Sequence, residues 1–200
     1  MAPHGHPSLR NLFDDAPTPH IAHSPRTHHR DYYVATDGSF FGDGAGIGVI
    51  VETGDGDCLF RIARGDDAPD NNTAEYRALA VGLDSLSAHA PETARIGLLV
   101  DHDDLAENVN AATLGMESPE WPDRPTAIPE PGLDRWRAIR ESLGSFADVR
   151  AACVGSDRNP AHVLANAPEE YGHVSGTPTR AAGREWEVPP ASRADRHADD

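Results

Sequence analysis

The segment NNTAEYRALAVGLDSL, Asn71 to Leu86, has the period of a helix and one residue that contradicts it. Counting in helical steps from Glu75, the positions on its side are Ala78, Leu79, Gly82, Leu83 and Leu86. That stripe is apolar and must pack inward. Glu75 goes in with it. A buried carboxylate without a partner is costly, so the fold has to supply one. An arginine could serve, as a structural ion pair.

Two further acids sit in similar positions. Asp37 interrupts the strand-like DYYVATDGS (31–39), which is apolar on both sides and runs into Gly38-Ser39. Asp101 ends ARIGLLVD (94–101), the most apolar strand of the chain. Singly, each has a plain explanation: Asp in a DGS turn, or Asp capping the next helix. Together, three carboxylates that end or interrupt buried elements are explained by convergence on a divalent cation. Clustered oxygen ligands suit Mg²⁺ or Mn²⁺. Two such ions ~3.5–4 Å apart can activate water and steady the leaving oxygen of a phosphodiester.

The remaining elements follow from pattern and punctuation. GAGIGVIV (44–51) and CLFRIAR (58–64) read as strands around the GDGD turn, giving a meander with 31–39. The helix of the opening segment spans 72–88, and DDLAENVN (103–110) is a short helix. Prolines 119, 122, 125, 129 and 131 make 111–131 a loop. LDRWRAIRESLG (133–144) is helical up to Gly144, DVRAACV (148–154) is a fifth strand, and RNPAHVLANA (158–167) is a final helix. The order βββαβααβα predicts an α/β fold, a mixed sheet flanked by helices. Residues 1–30, rich in Pro and His, and residues 171–200 show no period and are expected to be disordered tails. The histidines of 1–30 suit either a solvated tail or a metal-binding arm.

Composition limits the class. The net charge is −16, and all seventeen basic residues are arginine. Such a chain suits molar salt, where repulsion among carboxylates is screened to ~3 Å; a merely acidic mesophilic protein is the alternative. Cys58 and Cys153 fall in apolar runs, as expected of buried thiols in a reducing compartment. No apolar run approaches the length of a membrane span and no leader pattern is visible, so a cytoplasmic, soluble monomer is expected.

The motifs YVATDGSF with its glycine-rich second strand, NNTAEYRAL, LLVD, LDRWRAIRESL and RNPAHVLAN resemble type 1 ribonuclease H over roughly 31–170. The resemblance implies a ribonuclease H-like, five-stranded mixed sheet whose first three strands are antiparallel. It also implies hydrolysis of the RNA strand of RNA/DNA hybrids with two metal ions held by four acids. Asp37, Glu75 and Asp101 match the first three. At the fourth stands His162, in a segment one residue short. His102-Asp103-Asp104 replaces the usual serine after Asp101, and the loop 154–158 lacks the histidine many relatives carry.

His162 can be read as a metal ligand, which favours Mn²⁺, as a proton shuttle, or as a packing residue of the last helix. Asp157 is the stand-in if His162 does not serve. Asn71 and Asn72 match positions that contact the hybrid across its minor groove, beside Gly38 and Ser39. Glycines 42, 44, 46 and 48 are expected to let a nucleic-acid backbone approach. Arg135, Arg137 and Arg158 are candidate phosphate contacts. Two other readings stand beside the nuclease. One is a nucleic-acid-binding module on the same fold, weakened at 162. The other is a 3′–5′ exonuclease of acid-plus-histidine type, for which Ser39 and Asn166 stand where acids are wanted.

Overall fold

The computed structural model describes residues 7–20, 29–117, 128 and 133–171. Its elements are α1 (Leu9–Asp15), β1 (Tyr32–Phe40), β2 (Ala45–Thr53), β3 (Cys58–Asp66), α2 (Asn71–Ser87), β4 (Arg95–Val100), α3 (Asp103–Glu117), α4 (Leu133–Leu143), β5 (Asp148–Cys153) and α5 (His162–Asn166). The strands form one sheet in the order β3-β2-β1-β4-β5. β1, β2 and β3 are antiparallel, whereas β4 is parallel to β1 and β5 to β4. This is the mixed α/β sheet expected from the sequence.

One sheet face carries the larger core. Val34, Ile47, Val49 and Val51 meet Tyr76, Leu79, Leu83 and Leu86 of α2, with Leu105 and Val109 of α3 and Trp136 and Ile139 of α4 behind them. Gly82 lets α2 settle on β1, because a Cβ there would press on Thr36 and Val34. The other face is covered by α1 and α5, through Leu12, Phe13, Ala161 and Leu164 against Tyr33, Ala35 and Leu99.

That second face corrects the expectation of a disordered arm for residues 7–20; residues 1–6 and 21–28 lie outside the described residues. Ser8 caps α1, its hydroxyl accepting from the Asn11 amide at 3.3 Å. Leu9, Leu12 and Phe13 are buried against the sheet. Their i, i+3, i+4 spacing was visible in the sequence, but the surrounding Pro and His masked it. The chain then runs along β5: the Cys153 amide donates to the Pro17 carbonyl at 2.9 Å. Asn110 completes this edge, its side chain accepting from the Ala151 amide and donating to the Ala151 carbonyl, both at 2.8 Å.

Three smaller expectations also change. α3 continues to Glu117, so residues 111–117 belong to a helix and not to the proline-rich loop. Residues 118–127 and 129–132, and the tail after Tyr171, lie outside the described residues. The last helix is short, His162–Asn166, because Arg158 to Ala161 form turns anchored by Asn159, which donates to the Thr36 carbonyl at 2.9 Å. Cys58 and Cys153 are half-buried and unbridged, not fully buried. Among the described residues no helix is long and apolar enough to cross a membrane.

Candidate metal centre

The parallel pair β1 and β4 sets the site. Ala35 lies opposite Leu99 in the register. Two residues further along each strand come Asp37 and Asp101, at the carboxyl ends where crevices of open α/β sheets form. Glu75 reaches them from α2 on one face, and His162 from α5 on the other.

Close backbone approach makes this possible. A Cβ on Gly38 would clash with the Ala74 and Glu75 backbone, so only glycine lets the first turns of α2 rest on β1. The Gly38 backbone lies beside the Glu75 carboxylate and favours its charged form. Asp70 caps α2, accepting from the Thr73 amide at 2.6 Å, so neither Asn71 nor Asn72 is the cap. Asn71 accepts from the Phe40 amide at 3.3 Å and is otherwise exposed. The Asn72 side-chain oxygen is buried and accepts no bond.

On the other face, Gly48 is the register partner of Asp37. A Cβ on Gly48 would collide with the Ala161 carbonyl, and one on Gly46 with the Ala165 carbonyl. These glycines therefore accommodate the chain's own last helix. The expectation that they face a nucleic-acid backbone is corrected at both positions. Their reason is non-local: they bring α5 near enough for His162 to reach β1.

His162 Nδ1 lies 3.0 Å from Asp37 Oδ1. The Asn166 amide donates to His162 Nε2 at 2.8 Å and to the His162 carbonyl at 3.0 Å. A nitrogen that accepts at Nε2 leaves the proton on Nδ1, so the neutral ring donates to Asp37. Ser39 also donates to Asp37, at 3.3 Å. Asn166 is a site neighbour, at the position where the exonuclease alternative wants an acid. Its i, i+4 spacing from His162 was the available signal.

The electrostatics are unbalanced. Asp37 is 1% exposed and Glu75 3%. Burial first, then the Asp101 charge, raises the Asp37 carboxyl from 3.8 to about 7. Burial, then the charges of Asp101 and Asp37, pushes Glu75 well above its usual range. Glu75 Oε2 and Asp101 Oδ1 are buried and have no hydrogen-bond partner. Among the described residues the ion-paired arginines, Arg10, Arg30, Arg64, Arg77 and Arg150, contact Asp14, Asp66, Asp67 and Asp148, not Glu75. A structural ion pair therefore does not account for Glu75.

Asp37, Asp101 and His162 each present a ligand atom, all within 4.8 Å of one another. Glu75 stands behind this trio with its unpartnered oxygen. Asp157 is exposed and outside the trio. His102 accepts from the Leu105 amide at 3.2 Å and so serves the start of α3. Arg135, Arg137 and Arg158 are exposed.

No family model matches the chain, and no curated protein does. Solved structures do. The N-terminal RNase H domain of rv2228c from Mycobacterium tuberculosis superposes with a TM-score of 0.56 and 24% identity, over 68% of this chain and 91% of that one. RNase H1 from the halophilic archaeon Halobacterium salinarum gives 0.55 and 23%, over 68% and 95%. LC11-RNase H1, solved in complex with an RNA/DNA hybrid, gives 0.53 and 19%, over 68% and 94%. These neighbours are type 1 RNase H domains, so the chain has the ribonuclease H-like fold.

Proposed function

We propose that the protein is a metal-dependent endonuclease that hydrolyses the RNA strand of RNA/DNA hybrids. The observation that carries this reading is the convergence of three carboxylates, from β1, α2 and the end of β4, with no arginine among the described residues ion-paired to them. Such a cluster is unfavourable alone and favourable around a divalent cation. Asp37, Asp101 and Glu75 would hold the metal, Mg²⁺ or Mn²⁺, as a pair of ions, and His162 would join them through Nδ1 on giving up the proton it donates to Asp37. When bound, the metal supplies Lewis-acid stabilisation of charge on the phosphoryl oxygens.

The chain's own groups set the stage for that chemistry. Ser39 and His162 orient Asp37. Asn71 and Asn72, one turn ahead of Glu75, offer amides that both donate to and accept from hydroxyls and base edges in a minor groove. Water attack in line leaves a 5′-phosphate and a 3′-hydroxyl. The neighbour solved with a hybrid supports this substrate class by its fold.

A second reading, a non-catalytic binding module, draws on one feature. His162 stands where the resemblance places a fourth acid, and it donates to Asp37 instead of adding a negative charge. One assay separates the two. A labelled hybrid is incubated with Mn²⁺ or Mg²⁺ in high KCl, with the wild type and Asp37→Asn. Cleavage that falls at least about a thousandfold in Asp37→Asn is the expected result. Binding without cleavage under both metals would establish the module.

A further inference from the structure

The tip of the β1–β2 hairpin carries two consecutive phenylalanines in solvent. Phe40 is 39% exposed and Phe41 45%. Among the described residues the other large exposed apolar side chains are Met116 and Val163, which stand apart in sequence. Single exposed apolar residues are ordinary, but adjacent aromatic rings are a concentrated apolar surface. The turn that presents them is fixed. The Phe41 amide donates to the Gly44 carbonyl at 2.8 Å, and Gly42 has φ of 92°.

This tip is continuous with the candidate site. Phe40 directly follows Ser39, which is bonded to Asp37, and its amide is held by Asn71. Successive strand residues point to opposite sides, so the two rings flank the strand end. Phe41 leans toward Gly46, on the α5 side.

The charge balance says what such a surface must do. The chain carries −16, and Arg10, Arg30, Arg77 and Arg150 are each paired with an acid of the same chain. The excess of carboxylates opposes a polyanion, and what phosphate contacts there are weaken further as salt rises. Base–aromatic stacking is uncharged and persists in salt. Inside a duplex the base faces are already covered by their neighbours. Rings in solvent fit bases whose faces are free.

We infer that Phe40 and Phe41, one on each side of the strand end, each offer a ring face on which unpaired nucleotides adjoining the hybrid stack. This rests on the proposed nuclease reading and narrows it. The protein engages hybrids where they end or meet a single-stranded extension.

The test uses the full chain without metal, in EDTA, at 0.2 and 2 M KCl. Fluorescence anisotropy compares a blunt RNA/DNA hybrid with the same hybrid bearing a single-stranded extension. Wild type is expected to bind the extended hybrid at least about fivefold more tightly. Phe40→Ala and Phe41→Ala should bring that ratio close to one at both salt concentrations, with circular dichroism confirming the fold. Phe41→Tyr, which keeps a ring face, should restore most of it. An unchanged ratio in both alanine variants overturns the stacking role. So does an equal loss on blunt and extended hybrids, or a concentration-dependent dimer of the wild type that the variants abolish. A wild type that prefers extended hybrids yet cleaves none with Mn²⁺ or Mg²⁺ supports the stacking role and refutes the nuclease.

Discussion

Asp37 and Glu75 hold protons more tightly in the folded chain than they would unfolded, because burial and mutual repulsion disfavour their charged forms. The sign of the linkage follows. Their stabilising contribution is complete below the ordinary carboxylate range and is lost as pH rises through about 7 for Asp37. The metal-free protein should therefore lose thermal stability as pH climbs from about 4.5 to 8. Mn²⁺ or Mg²⁺ should stabilise it most at the upper end, as differential scanning calorimetry would show. Asp37→Asn should raise metal-free stability at pH 8 by about 1–3 kcal/mol, while removing the response to metal. A metal-free stability that rises over that range would contradict the burial of these charges. His162 gives a second test. Imidazole is softer than carboxylate, so His162→Asp should lower the ratio of Mn²⁺- to Mg²⁺-supported cleavage by several-fold. An unaltered ratio would leave His162 only its hydrogen bond to Asp37.

At the scale of elements, the site depends on two helices lying against β1 and β2 without intervening side chains. Gly38 admits α2, and Gly46 and Gly48 admit α5. Gly48→Ala forces α5 away from β2 or bends the strand, a cost on the order of 2–4 kcal/mol. Urea denaturation should show that loss. NMR of the His162 ring should show its contact with Asp37 disturbed in the fraction that folds. A change below about 0.5 kcal/mol would mean that α5 moves freely and does not position His162. The glycines also show where reading from sequence stopped. Their alternation was plain, but what a missing side chain makes room for lies far along the chain. A nucleic acid was expected where Ala161 and Ala165 sit. Glu75 was different: its burial followed from helical period within one segment, and the structure buries the same stripe, Ala78, Leu79, Gly82, Leu83 and Leu86.

For the molecule as a whole, the sheet has two faces to cover, and among the described residues a short helix and a single 3-10 turn follow β5. The N-terminal segment covers what α5 leaves. Phe13 packs edge-on against Tyr33 with ring centroids 5.6 Å apart, and both are buried. Phe13→Ala should cost about 3–5 kcal/mol in thermal or chemical denaturation, as a core residue does. A truly unstructured arm would show no effect. The order of elements from β1 onward, the antiparallel start of the sheet and the inward-facing acids could be read from the sequence, because period and punctuation are local properties. The partner of each acid could not. That Glu75 and Asp101 keep unpartnered oxygens, that His162 turns its Nδ1 toward Asp37, and that α1 seals the second face all depend on packing between segments distant in the chain. Local pattern decides which side chains go inside; only tertiary contact decides what they meet there.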